Sequence, residues 1–233
     1  MDSNLAGSLW QGDLVHTGDW PTTIADALAV QERLRGEVDL TDDGPELPPT
    51  VTGLDVAYDD AGGIAAAVVT LETAGLTVVE ERTVRAKAVF PYEPGLFAFR
   101  ELPPLLAALD LLDREPDVLV CDGHGLAHPR RFGLACHLGV LTGWPAFGVG
   151  KTRFVGSHAA PEHPRGSSVP LVDAGEVVGA VLRTQDGVKP VYVSAGHRID
   201  LAHACRLTLA LTPRYRLPET TRQADRLSRV ALR

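Results

Sequence analysis

The sequence predicts an α/β fold, a mixed β-sheet with helices on both faces. Three observations carry this. Strand-like runs at 51–58, 63–71 and 76–86 follow one another with only the turn signals Gly62-Gly63 and Ala74-Gly75 between them, as in an antiparallel meander. From about residue 101 onward, helical and strand-like segments alternate. The apolar run Val118-Leu119-Val120 ends on an acid and a glycine turn, Asp122-Gly123-His124-Gly125, where open α/β sheets bind ligands.

In chain order, Thr22-Thr23 can cap a helix over Ile24 to Leu34. Residues 39–49 are acidic and proline-rich, a linker. After the meander comes a stiff loop, Pro91-Tyr92-Glu93-Pro94-Gly95. Pro103-Pro104 suit a helix only in its first turn, so a helix is expected from near Glu101 to Asp113. A strand over 117–121, a helix over 132–142 and a short strand over 146–149 follow. Residues 153–168 read as loop, and 169–183 as a hairpin turning at Ala174-Gly175. A strand at 191–194, a helix at 200–211 and a last helix after Leu217-Pro218 complete the chain. There is no internal repeat and no clear domain boundary.

With 233 residues, 45% of them apolar and 22% charged, the chain can bury a sizeable core. No run of about 18 apolar residues suggests a membrane span. The start, Met1-Asp2-Ser3-Asn4, lacks the basic and apolar regions of a secretory signal. Three cysteines without a C-x-x-C pattern suit free thiols, and a cytoplasmic location is expected. The net charge of −8 argues against a nucleic-acid partner, but its distribution does not. Residues 1–99 hold 5 Lys/Arg and 17 Asp/Glu, a balance of −12; residues 100–233 hold the other 17 and 13, a balance of +4. Arg214, Arg216, Arg222, Arg226, Arg229 and Arg233 crowd the end. Such a stretch can neutralise phosphates, or can be an ordinary solvated helix.

Four acids stand at element ends or in apolar context: Asp55, Glu101, Asp122 and Asp225. Carboxylates converging from separate elements suit Mg²⁺ or Mn²⁺. Each also has an ordinary reading. Asp55 could pair with an arginine, Glu101 could complement a helix N-terminus, Asp122 could bond turn amides, and Asp225 could be a surface acid beside Arg222 and Arg226. Gly148-Val149-Gly150-Lys151-Thr152 echoes a phosphate-binding loop, but Pro145 stands where that pattern needs glycine. His124-x₃-His128 has zinc-like spacing without a convincing third ligand.

The segments around these acids resemble the endonuclease V family, inosine-directed nucleases with a ribonuclease H-like fold. The resemblance rests on Gly53-Leu54-Asp55-Val56-Ala57-Tyr58, on Pro91 to Gly95 through Phe99-Arg100-Glu101, and on Asp122-Gly123-His124-Gly125 through His128-Pro129-Arg130. It continues in Gly133 to Gly139, Gly148-Val149-Gly150-Lys151, Ser194-Ala195-Gly196-His197-Arg198, and Arg216 to Asp225. These occur in family order over roughly residues 20–228. The resemblance implies one catalytic domain over 1–233, with 1–19 a flexible extension and 39–49 a linker within the domain.

It also implies roles. Asp55, Asp122 and Glu101 would hold Mg²⁺, with Mn²⁺ able to substitute and Asp225 nearby. Lys151 would contact the reacting phosphate. Pro91, Tyr92, Glu93 and Pro94 would form a wedge entering the duplex, because a rigid aromatic can replace a stacked neighbour when a base leaves the helix. Gly95, Leu96, Phe97 and Gly123 would line the pocket for extruded hypoxanthine. His128 and His137 would touch the substrate backbone or order the loop. Gly196 and His197 would bind phosphate or cap a helix. Two departures stand out: Glu93 replaces a usual apolar residue of the wedge, and His124 a usual Asn or Gln.

The expected activity is Mg²⁺-dependent hydrolysis of the second phosphodiester 3′ to deoxyinosine, leaving 3′-hydroxyl and 5′-phosphate ends. The expected partner is deoxyinosine DNA, and the protein is expected to be a monomer. Rival readings are action mainly on inosine RNA or branched DNA, and lesion binding without catalysis.

Overall fold

The computed structural model describes residues 20–42, 44–45 and 47–233. The expected extension 1–19 lies outside the described residues. Eight strands form one sheet: β1 (Thr50–Tyr58), β2 (Gly63–Glu72), β3 (Val78–Lys87), β4 (Leu119–Cys121), β5 (Ala146–Gly150), β6 (Ser168–Asp173), β7 (Glu176–Leu182) and β8 (Val191–His197). Their order is β3-β2-β1-β4-β5-β8-β7-β6. β1, β4 and β5 run parallel, and the meander and the β6–β8 wing pair antiparallel on either side. The expected mixed sheet is therefore present, in the ribonuclease H-like arrangement.

Among the described residues the helices are α1 (Ile24–Arg35), α2 (Phe97–Leu109), α3 (Leu134–Thr142), α4 (Leu201–Ala210) and α5 (Glu219–Leu232). Side chains alternate across each strand, so the two faces carry separate cores. Leu54, Ala66, Leu119 and Cys121 meet α2 and α3 on one face. Val51, Val120, Phe147 and Val193 meet Leu207 and Leu211, from α4 and its C-cap, on the other. α5 covers β1 and β2 on that second face, where Ala224 joins Val69 and Leu71. Gly53 allows this contact, since a Cβ there would stand 2.4 Å from the Thr220 backbone.

Local chemistry explains most boundaries. Thr23 caps α1 by accepting from the Asp26 amide at 3.1 Å, and Asp200 caps α4 by accepting from His203 at 2.5 Å. Ala174 and Gly175 both adopt positive φ, 51° and 83°, as a tight two-residue hairpin turn requires.

One boundary differs from expectation. α2 starts at Phe97 rather than near Glu101, so Pro103 and Pro104 lie inside it. An interior proline leaves the carbonyl four residues back without its amide donor. For Pro103 that carbonyl belongs to Phe99, and the Trp20 indole N–H donates to it at 2.8 Å. The substitute donor removes part of the cost of the proline. It also puts Glu101 in the second turn of the helix, away from its N-terminus.

Candidate active site

The C-terminal ends of the parallel strands gather the acids. Leu54 of β1 stands beside Cys121 of β4 in register, so the next residues, Asp55 and Asp122, are neighbours across the sheet. Lys151 follows β5, and its ammonium makes an ion pair with Asp122. Glu101 approaches from α2, and its carboxylate accepts from the Tyr58 hydroxyl at 2.9 Å. Asp225 approaches from α5 and is paired with Arg229 at 2.7 Å. A cleft of about 690 Å³ is lined by Asp55, Tyr58, Lys151, Asp225 and Arg229.

The electrostatics reflect crowding of like charge. Asp55 is pushed up to about 7, chiefly by burial, with repulsion from Asp122 and Asp225 adding; the Ser228 hydroxyl and Lys151 act against this. Glu101 keeps some contact with solvent but is surrounded by protein, and burial and Asp122 push it up to about 7. For Lys151, burial works to lower its pKa, but Asp122, Asp55 and Asp225 together raise it, so it stays protonated.

Carboxylates that repel one another in a partly dry site are hard oxygen donors that a divalent cation would relieve, so the donor set fits Mg²⁺ or Mn²⁺. Among the described residues no three His, Cys, Asp or Glu side chains stand close enough together to hold an ion as placed. The reason is local: Lys151 neutralises Asp122, Ser228 holds Asp55 and Tyr58 holds Glu101. A cation bound here would compete with the Lys151 ammonium for Asp122.

Next to the acids lies a second cavity of about 270 Å³. Glu101 and Asp122 form its border with the acid cluster, and Gly95, Phe97, Gly123, His128 and Phe154 line it. A Cβ on Gly123 would meet no protein atom nearer than 3.9 Å, so a side chain there would fill the cavity itself. Gly95 has φ +80°, and a Cβ on it would stand 2.6 Å from the Arg130 guanidinium. Its carbonyl accepts from Gln31 at 3.0 Å, His128 Nε2 at 3.1 Å and Arg130 at 2.7 Å. This three-way clamp fixes the 91–95 loop beside the cavity. Beyond it Pro91, Tyr92 and Pro94 project into solvent. Tyr92 is 71% exposed and rests edge-on against Phe97 with ring centroids 4.5 Å apart.

The Endonuclease V family model matches residues 32–226. Endonuclease V of Streptomyces avermitilis is 58% identical over 218 residues, 92% of this chain and 94% of that one. The chain belongs to the endonuclease V family. Members are nucleases, enzymes of the hydrolase class. The crystal structure of the Streptomyces avermitilis endonuclease V superposes with a TM-score of 0.89 at 58% identity, covering 91% of this chain and 94% of that one. The endonuclease V of Ciona intestinalis, solved in complex with a 24mer DNA containing an inosine followed by a ribo-adenosine, gives 0.78 at 28% identity, covering 90% and 97%.

Leu96 and His137 stand elsewhere than the family resemblance implied, and His128 takes the second of its two expected roles. Leu96 is buried with Phe90 and Phe99 in an apolar cluster and does not line the cavity. His128 is buried, accepts from the Arg130 amide on Nδ1 and donates through Nε2 to Gly95, so it orders the loop. Burial and the Arg130 charge lower it to about 4, and it is neutral. His137 is fully buried against Trp20, Phe99 and Phe132, its ring nitrogens without a hydrogen-bond partner among the described residues, and it is out of reach of substrate as placed.

Gly196 and His197 lie at the other end of the sheet: β8 runs antiparallel to β5 and sets His197 beside Ala146, while Gly150 leads to Lys151. Four residue steps separate those ends, about 13 Å. His197 Nδ1 instead accepts from the Asp39 amide at 3.1 Å and ties down the 39–42 segment. His124 and His128 are not arranged as zinc ligands, since each ring bonds a backbone carbonyl and both pack on Phe154.

Four useful residues escaped sequence reasoning: Gln31, Tyr58 as a partner of Glu101, Phe154 and Ser228. Gln31 had a signal, a lone amide in the buried Ala27–Gln31–Leu34 stripe of α1.

Proposed function

We propose that the protein nicks DNA at deoxyinosine, hydrolysing the second phosphodiester on the 3′ side and leaving 3′-hydroxyl and 5′-phosphate ends, with Mg²⁺ as cofactor and Mn²⁺ able to replace it. The observation that carries this is the shared border: Glu101 and Asp122 belong both to the acid cluster and to the rim of the base-sized cavity. A base held in the cavity would keep its own strand against the acids. The Ciona relative solved with inosine DNA supports the same choice of substrate.

Asp55, Asp122 and Glu101 would hold the metal, with Asp225 alongside. When bound, the ion would supply Lewis acidity toward the phosphate and lower the pKa of a neighbouring water. Tyr58 and Ser228 orient two of its ligands through their hydroxyls. Lys151, cationic and at the lip of the cleft, would offset charge developing on the phosphate once freed from Asp122. Tyr92 on its proline-stiffened loop would occupy the gap left by the extruded base. The cavity wall would then exclude neighbouring bases while Gly123 admits the purine edge.

The test is an end-labelled duplex carrying one inosine, incubated with Mg²⁺ and mapped at nucleotide resolution. One nick past the nucleotide 3′ of the lesion is expected. Asp122→Asn should abolish nicking and retain binding. Base release, or equal cutting of an inosine-free duplex, would refute the proposal. A matched inosine RNA strand tests the preference for DNA.

A further inference from the structure

Apart from the Arg229–Asp225 pair, the arginines near the chain end have no part in the chemistry above. α5 arranges its arginines in a way that points to a ligand. At about 100° per residue, Arg222, Arg226, Arg229 and Arg233 fall within an arc of about 60°. The buried residues Thr220, Thr221, Ala224 and Ser228 occupy the opposite side. The arginines therefore form one row along the outermost line of the helix. They are spaced 4, 3 and 4 residues apart, which is about 5–6 Å along the axis between neighbours.

The row is anchored at both ends. Arg229 and Arg233 line the cleft that contains Asp55, Asp225 and Lys151. At the far end Arg222 lies over the Tyr215 ring, 3.6 Å from its centroid, and both border a separate cleft with Arg214. Two acids accompany the row, each beside it rather than in it: Asp225 pairs with Arg229 and Glu219 with Arg222. Arg226 and Arg233 make no ion pair among the described residues. Residues 214–233 hold six arginines and two acids, a balance of +4 on a chain of net charge −8.

We propose that this row is a phosphate track, which holds the sugar-phosphate backbone of the nucleic acid as it leaves the candidate active site across α5. The proposal rests on the nuclease reading for its ligand, and its reasoning is electrostatic. An acidic protein repels a polyanion over most of its surface, so contacts outside the cleft must concentrate where the sign reverses. The row spans about 16 Å, the length of about five phosphates of one strand at 3.4 Å of axis each. Guanidinium groups match phosphate oxygens in a bidentate manner. The exposed ring of Tyr215, backed by Arg222, gives the far end a face on which a base can stack. Contacts of this kind carry no sequence information, so they would add affinity to any duplex and leave inosine selection to the cavity.

The experiment compares the full chain with the double variant Arg222→Gln/Arg226→Gln, the two members of the row that do not line the acid cleft. Binding to duplexes with and without inosine is followed by fluorescence anisotropy from 50 to 200 mM salt. The slope of log K against log salt should become shallower by about 1.8, so wild-type affinity falls about tenfold more than that of the variant over this range. Both duplexes should be affected alike, and nicking at saturating enzyme should be unchanged. An unchanged slope overturns the track. So does a variant that loses binding to polyglutamate but keeps the wild-type slope on DNA, because the row would then serve an acidic protein. Failure of the nuclease reading shows separately, as absence of nicking by the wild type, while the slope on inosine-free duplex still reads the track.

Discussion

The Ser228 hydroxyl lies 2.9 Å from Asp55 Oδ2, across 173 residues of chain. Ser228 is fully buried on the inner side of α5, and the close approach of Gly53 to Thr220 brings that helix within reach. This hydrogen bond favours the ionised form of Asp55, against burial and the neighbouring acids. Ser228→Ala therefore lets the carboxyl rise above its present value of about 7. The acidic limb of the nicking profile should move to higher pH, and folding stability should fall by about 1 kcal/mol for the lost hydrogen bond. A pH–rate profile for the variant checks this; a limb that stays in place would show that Ser228 does not tune Asp55.

Asp55 and Glu101 also set how stability varies with pH. Both have folded values of about 7, above their ordinary 3.8 and 4.5. The folded protein thus holds protons that the unfolded chain has released, and stability falls as pH rises from about 4 to about 7. Asp55→Asn removes its share of that slope. At pH 8 without metal the variant should melt several degrees higher than wild type, at about 2–4 °C per kcal/mol for a chain of this size. Mg²⁺ or Mn²⁺ should raise the wild-type Tm and leave that of Asp55→Asn nearly unchanged, because only a folded-state ligand stabilises. Equal metal responses in the two proteins would remove Asp55 from the metal shell.

The order of elements is legible in the sequence because glycine turns and apolar runs are local signals. The start of α2 is not, because Pro103-Pro104 reads as a first turn and the sequence does not show that Trp20 supplies the Phe99 carbonyl with a donor. Asp122 is legible as an acid at a strand end and Asp55 as an acid inside an apolar strand, but their adjacency needs the parallel register of β1 and β4. Gln31 and Ser228 are single polar groups on buried helix faces, and nothing local names Gly95 or Asp55 as their partners. The position of His197 is not legible because strand direction is not written locally: only the antiparallel pairing of β8 with β5 sets it at the end of the sheet away from Lys151.

Glu93 puts a carboxylate on the exposed 91–95 loop, where its charge reaches Arg130. Near a phosphate backbone that charge is repulsive, while near Arg130 it is attractive. The loop is already clamped through the Gly95 carbonyl, so losing the Glu93 charge should not loosen it. Glu93→Leu should therefore lower KM for inosine duplex severalfold at low salt with little change in kcat, and the gain should fade as salt rises. Steady-state kinetics at two ionic strengths decide this, and a rise in KM would instead make Glu93 a loop anchor.

His137 supplies the sharpest contrast between a role in binding and one in the core. Burial, then the nearby Arg33 charge, lowers it to about 3, against an ordinary 6.5. It stays neutral in the fold, whereas the unfolded chain takes up a proton as pH falls below 6.5, so stability is lost as pH falls toward 3. The cost approaches about 1.4 kcal/mol for each pH unit below 6.5. Neither ring nitrogen has a partner among the described residues, so replacing the ring by an apolar side chain breaks no hydrogen bond to them. His137→Leu should hold its Tm further into acid than wild type and bind inosine DNA with unchanged affinity. Melting curves at pH 5 and pH 8, with a binding isotherm at neutral pH, test both halves. Loss of inosine discrimination in a variant that still melts cooperatively would place the imidazole in contact with substrate after a rearrangement of the Trp20–Phe99–Phe132 cluster.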